Sequence, residues 1–217
     1  MEDRERLLLT KWISELRIIH AEVRSLLLSS KIFWEVQKIL EANPEALCHR
    51  LFNDWMATNY AVATAIGIRR QIDVDSRSVS MKGLLLHVKA ELACRSDLLS
   101  RENFIANYRP ELASVADSEF DRLVGGTESR VEVPYIQRDL DKLDTVTAGV
   151  KHFANKRIAH RDAKGIEKRK LGELDDCLEV LAEMVDRYAR IMAGSGSDVL
   201  PDLPSDWKCV FETAWIK

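Results

Sequence analysis

The stretch LGELDDCLEVLAEMVDRYARIM, residues 171–192, settles the class of fold. After Gly172, apolar residues return at Leu174, Leu178, Leu181, Val185, Tyr188 and Ile191, in steps of four, three, four, three and three. That spacing lays one apolar stripe along a helix. Gly194-Ser-Gly-Ser ends it. Upstream, Ile136, Leu140, Leu143, Val146, Val150 and Phe153 form a second stripe, so a long helix is expected from Tyr135 to about His160. Gly165 stops that helix or its loop.

The pattern persists toward the N-terminus. Leu8, Trp12, Leu16, Ile19, Val23 and Leu26 predict a helix over residues 4–28, ending near Ser29-Ser30. A shorter one follows over Lys31–Glu41, closed by Asn43-Pro44, because the residue before proline avoids the helical region. A long helix is expected from about Glu45 to Ile72, with Leu47, Leu51, Trp55, Ala61 and Ile66 among its apolar positions. The polar run from Asp73 to Ser80 offers Ser78 or Ser80 as N-cap for a helix from Met81 to about Leu99. Arg109-Pro110 and Gly125-Gly126 frame a short helix over roughly Ala116–Leu123, and a brief extended piece at Arg130–Val133 precedes Pro134.

The expected architecture is all-α, a helical bundle of about five long helices plus short ones over residues 1–195. Residues 196–217 are expected to form a tail whose short aromatic segment, with Trp207, Phe211 and Trp215, packs on the bundle. Nine glycines and five prolines among 217 residues support the helical reading, since that is about half their usual share.

Composition narrows the function classes. A formal charge of −3 gives no global nucleic-acid signature. Cys48, Cys94, Cys177 and Cys209 are scattered without metal-ligand spacing and read as ordinary thiols of a reducing compartment. The opening MEDRERLLLTKW lacks a secretory apolar core, and no run approaches the ~18 apolar residues of a membrane span. A soluble cytoplasmic protein with no membrane contact is expected. Dinucleotide, P-loop, zincin and nucleophile-elbow motifs are absent, and neither a metal nor a cofactor is expected. His20, His49 and His87 lie in amphipathic stretches, where a core or boundary hydrogen bond is the default reading.

One segment departs from this average. Between Lys151 and Lys170 stand eight cations, among them Lys156, Arg157, Arg161, Lys168, Arg169 and Lys170, against Asp162 and Glu167 alone. A local balance of +6 on a chain of −3 concentrates positive potential at one helix end, where a phosphate backbone could dock. Complementing the helix dipole, with a solvated loop behind, accounts for the same charges.

Within it, FANKRIAHRD (Phe153–Asp162) resembles the signature of HEPN domains, small all-α bundles found in RNases of toxin and antiphage systems. The likeness is to the AbiU-type abortive-infection branch, and IRRQIDVDSRSVSMKGLL (Ile68–Leu85) is similar to that branch's stretch linking two helices. The family motif is an Arg, then four to six residues of which the first is usually polar, then a His. Here the His matches His160 and the polar residue Asn155, while the Arg position falls on Ala154. Arg157, three residues before His160, is in a different register but stands about a turn away and could partly substitute.

The chemistry explains the residue types. RNA carries its own nucleophile, the ribose 2′-hydroxyl. A histidine near neutral pKa moves the proton, and an arginine stabilises charge growing on the phosphate. The resemblance implies a metal-independent endoribonuclease scaffold, homodimeric, with the apolar stripe Ile136–Phe153 offering area for a second copy. It implies that Asn155 positions phosphate or histidine, and Lys156 and Arg161 of the basic segment are expected as substrate contacts. Arg69 and Arg70 either add phosphate contacts or pair with Asp73 and Asp75 beyond their helix; the second reading is preferred.

With Ala154 in place of arginine, the chain is either a degenerate member or an Arg→Ala inactivated form, weak or inert as it stands. The alternative is a non-catalytic HEPN module that binds RNA or a partner protein. A nucleotidyltransferase-type antitoxin is the partner that a toxin reading implies.

Overall fold

The structure, a computed structural model, describes residues 3–43, 45, 50–95, 97–159, 168–194 and 199–212, with the side chains of 151–159 and 168–170 outside that description. Eight α-helices lie among the described residues: α1 Asp3–Ala42, α2 Arg50–Gln71, α3 Met81–Cys94, α4 Arg101–Ile105, α5 Ala113–Val124, α6 Val133–Ala159, α7 Lys168–Ala193 and α8 Cys209–Glu212. Five are long and no strand forms among these residues, so the expected all-α bundle is what the chain adopts. None of them is long and apolar enough to cross a membrane.

The first helix corrects the expectation of two. It runs unbroken for 40 residues, through Ser29-Ser30. Ser29 Oγ donates to the Ser25 carbonyl one turn back (3.0 Å), and Ser30 Oγ donates to Asp175 (2.8 Å), so neither hydroxyl disrupts the backbone. Trp12, Leu16, Ile19, Val23, Phe33 and Val36 form its buried face.

In α2 the expected core positions are partly wrong. Ala61 is buried, but Leu51, Trp55 and Ile66 face solvent, and Tyr60, Thr64, Ala65 and Ile68 share the inner face with it. The small inner residues let α2 approach α1 closely; a Cβ added at Gly67 would stand 2.5 Å from Leu26 Cδ2. Phe33 and Tyr60 stack between the two helices with ring centroids 4.2 Å apart.

Ser80 is the N-cap of α3, its Oγ accepting from Gly83 N at 3.0 Å, an interaction worth about 1 kcal/mol. The helix stops at Cys94, short of Leu99, and Leu98 and Leu99 bury themselves from the following turn. Arg101, at the start of α4, then organises the middle of the chain. Its guanidinium holds Asp117 (2.7 Å), Asp121 and the Glu128 carbonyl, and lies 5.0 Å from the Phe120 ring centroid. The α5 helix closes on Gly125, whose φ of +83° is the left-handed conformation open to glycine. The extended piece at Arg130 reduces to one antiparallel bridge with Ser100.

The α6 and α7 helices pair antiparallel. The stripe from Leu174 to Ile191 is wholly buried, as its spacing demands, although α7 begins at Lys168 and takes Gly172 inside itself. In α6, Ile136, Leu140, Leu143 and Val150 are buried within this same chain. That overturns the expectation that this stripe is free to meet a second copy. Beyond α7, Lys31 Nζ donates to the Pro201 carbonyl (2.9 Å) and Lys208 pairs with Glu35 (3.3 Å), tying the tail to α1. Trp207 and Phe211 meet edge-on with Phe211 half-exposed, and Trp215 lies outside the described residues.

Candidate functional site

The body of α6 is anchored on α7 and α3 before the candidate residues begin. Asp139, buried, accepts from Arg187 Nη2 (2.7 Å) and from the Tyr188 hydroxyl (2.6 Å). Burial and the neighbouring carboxylate keep the Tyr188 phenol protonated well beyond its ordinary range. Lys142 meets Glu183 and Lys82 meets Asp144, at 2.7 and 2.6 Å. Cys177 Sγ lies 3.1 Å from the Val146 carbonyl, and burial pushes its thiol up to about 12. The anchored length of α6 therefore reaches at least Val150.

Positions 154–157 occupy the last two turns of α6, where its backbone remains helical to Ala159. Ala154 follows Val150 by four residues, and Arg157 follows Ala154 by three, so the register of the stripe continues through both. Asn155 and Lys156 occupy the intervening register positions. The side chains of Ala154, Asn155, Lys156 and Arg157 fall outside the description, and His160 and Arg161 lie outside the described residues.

Arg69 and Arg70 are placed elsewhere. Arg70 Nη2 pairs with Glu22 Oε1 at 2.6 Å, and the other Glu22 oxygen accepts from Gln71 (2.7 Å). The preferred pairing with Asp73 and Asp75 does not form. Arg77 takes Asp75 instead, at 2.8 Å, and holds that carboxyl below its usual range. Arg69 is exposed and makes no side-chain bond to a described residue. Gln71 Oε1 accepts from Met81 N (3.3 Å), beside the Lys82–Asp144 pair, so the end of α2 sits level with Asp144. Ala154 is ten residues further along α6, roughly 15 Å away at 1.5 Å per residue.

A polar cluster that sequence reasoning missed lies nearer the motif-bearing half. Asp175 Oδ1 accepts from Ser30 Oγ (2.8 Å) and the Tyr60 hydroxyl (2.7 Å), and Oδ2 accepts from Trp34 Nε1 (2.7 Å). One carboxylate thereby joins α1, α2 and α7. Desolvation raises the Tyr60 phenol, which stays a donor at every ordinary pH. The only sequence signal was an acid beside an inward leucine, Leu174, in an otherwise apolar stripe. With neutral donors and a donor-only tyrosine, this cluster positions helices and moves no proton.

The histidines within the described residues follow their default reading in part. His87 Nδ1 accepts from Trp12 Nε1 at 3.2 Å, whereas the buried His20 Nε2 has no partner among the described residues. One protein-family model, HEPN_AbiU2, described as AbiU2, matches residues 13–210. No curated protein and no solved structure matches the chain.

Proposed function

The chain belongs to the AbiU2 family of HEPN domains, and from that premise we propose an RNA-directed role in abortive infection or a toxin–antitoxin pair. The observation that carries this reading is FANKRIAHRD within the matched span, complete in Asn155 and His160 and lacking only the arginine at position 154.

In the proposed chemistry the eight cations of residues 151–170, Lys156 and Arg161 among them, attract the RNA backbone. His160 takes or returns the proton of the attacking 2′-hydroxyl and the departing oxygen, and no metal takes part. Asn155 orients phosphate or imidazole. Alanine at 154 offers nothing to the phosphate charge that grows in the transition state, and Arg157 covers that loss only in part. The protein as it stands therefore binds RNA and cleaves it weakly or not at all, which is also the behaviour of a non-catalytic binding module. Two copies and a nucleotidyltransferase-type antitoxin complete the proposal, acting in the cytoplasm.

Restoring the arginine separates these readings. An arginine supplies two charge-assisted hydrogen bonds, and such donors commonly govern ~100- to 1000-fold in rate. Ala154→Arg is expected to turn the protein into a chelator-resistant RNase leaving cyclic-phosphate ends, and His160→Ala on that background to silence it. A folded Ala154→Arg protein that binds RNA without cleaving it would leave the binding module as the function.

A further inference from the structure

Two aromatic side chains at the start of α2 are left bare by the fold. Phe52 is 55 % exposed and Trp55 60 %, with ring centroids 5.8 Å apart and planes tilted by 30°. They stand on the side of α2 opposite Ala61, Thr64, Ala65 and Ile68, which pack inward. Solubility alone would favour polar residues there.

Contacts made by other residues place the pair along the bundle. The Tyr60 hydroxyl meets Asp175, and a Cβ added at Gly149 would stand 3.2 Å from Oε2 of Glu173, two residues earlier in α7. Tyr60 is thus about level with Gly149 of α6. From there α2 runs on to Gln71, beside the Lys82–Asp144 pair, so α2 and α6 are antiparallel. Trp55 and Phe52 precede Tyr60 by five and eight residues, about 8 and 12 Å at 1.5 Å per residue. The same rise carries α6 from Gly149 to Ala154 and Arg157. The pair therefore lies at the end of the bundle where α6 finishes at Ala159 and α7 begins at Lys168. The eight cations of residues 151–170 belong to those helix ends and the chain between them.

Charge narrows the occupant. Arg50, Arg69 and Arg70 stand in α2 against Asp54 alone, on a chain of net charge −3. Asp54 is turned about 100° round the helix from Trp55. A ligand suited to this end combines flat apolar groups with negative charge, as an unpaired nucleic-acid strand does. We infer that Phe52 and Trp55 stack on unpaired bases of an RNA strand whose backbone follows the cations of residues 151–170. This rests on the RNA-directed reading and adds a preference to it. Single strands are favoured over duplex, in which base faces are already stacked on one another. The α2 helix packs on α6. With packed axes about 8–10 Å apart and a helix radius of about 5 Å, a base a few nucleotides from a phosphate at α6 reaches the pair.

Fluorescence anisotropy of the full chain is the test, with an unstructured RNA of about 12 nucleotides and a duplex of the same length as probes. The single strand should bind roughly tenfold tighter than the duplex. Trp55→Leu, which keeps apolar bulk without a ring, should lose roughly 5- to 150-fold in affinity for the strand, the usual effect of one stacked base. Trp55→Phe should stay near wild type, and both variants should bind the duplex as the wild type does. Stacking releases no counterions, so Trp55→Leu leaves the salt slope unchanged, whereas replacing Lys168, Arg169 and Lys170 by alanine flattens it for both probes. Melting temperatures should hold, because Trp55 is mostly exposed. If neither probe binds at ~100 μM, the RNA-directed reading falls and the platform with it. If the strand binds with a cation-dependent slope while Trp55→Leu and Phe52→Ala match wild type, the platform alone is overturned and the pair is left to a protein partner.

Discussion

Two carboxylates, Asp139 and Asp175, hold opposite halves of the α6–α7 pair, and they do so by different physics. Asp139 is buried and faces a cation, Arg187, together with the Tyr188 hydroxyl; the Arg187 Nε is buried without a partner among the described residues. Asp175 is half-buried and faces three neutral donors from two other helices. The first site fixes two helices strongly and brooks no loss of either charge, because a desolvated ion left alone is costly. The second fixes three helices through bonds that are individually modest. The first half of α7 is thus tied to α1 and α2 by the milder group.

The sharpest way to break this contrast is to remove each acid in turn. Asp139→Ala leaves the Arg187 guanidinium without its counter-charge, and about 3 kcal/mol of unfolding free energy should go in a urea titration. That corresponds to a melting temperature lower by roughly 6–12 °C for a chain of this size. Asp175→Ala strands neutral donors that water can reach, and about 1–2 kcal/mol is expected. Equal losses, or a larger one at Asp175, would erase the distinction between the two halves.

Cys177 gives a finer readout, because it lies two residues from Asp175 and against α6. Burial holds its thiol near 12, above the ordinary 9, so the folded state keeps that proton longer than the unfolded one. Its contribution to stability is therefore complete below about pH 9 and is lost as the pH rises toward 12. At pH 8 the exposed Cys94 and Cys209 should react with a thiol reagent while Cys177 stays silent. In Asp175→Ala, Cys177 should label several-fold faster than in Asp139→Ala adjusted by urea to the same global stability. Equal rates would mean that the two halves open together.

The helices themselves were legible because apolar spacing is a local property. Leu174 to Ile191, the Ser80 cap and the Gly125 stop each needed only their own neighbours in sequence. What misled was partnership at long range. Ser30 looks like a helix end until Asp175, 145 residues away, accepts its hydroxyl proton. Leu51 and Trp55 look like core until Ala61, Thr64 and Ala65 prove to be the face that packs. The stripe of α6 looked available to a second copy because a sequence does not say whether α7 has already covered it. Of the candidate residues, the helix that carries Ala154 and Arg157 was readable and the Arg70–Glu22 pair was not, since Glu22 lies on another helix.

At 40 residues, α1 is roughly 60 Å of continuous helix, and its partners arrive late. Trp34 and Ser30 wait for Asp175, and Lys31 waits for Pro201, 170 residues downstream. At about 5–20 residues per second, the ribosome needs roughly 8–30 s to pass from the end of α1 to the end of α7. For that interval Ser30 and Trp34 lack their acceptor, whereas Phe33 and Trp12 meet Tyr60 of α2 and His87 of α3 sooner. The α1–α7 side of the bundle is accordingly the last to close, and its half-made form lasts longer where translation is slow than where it is fast.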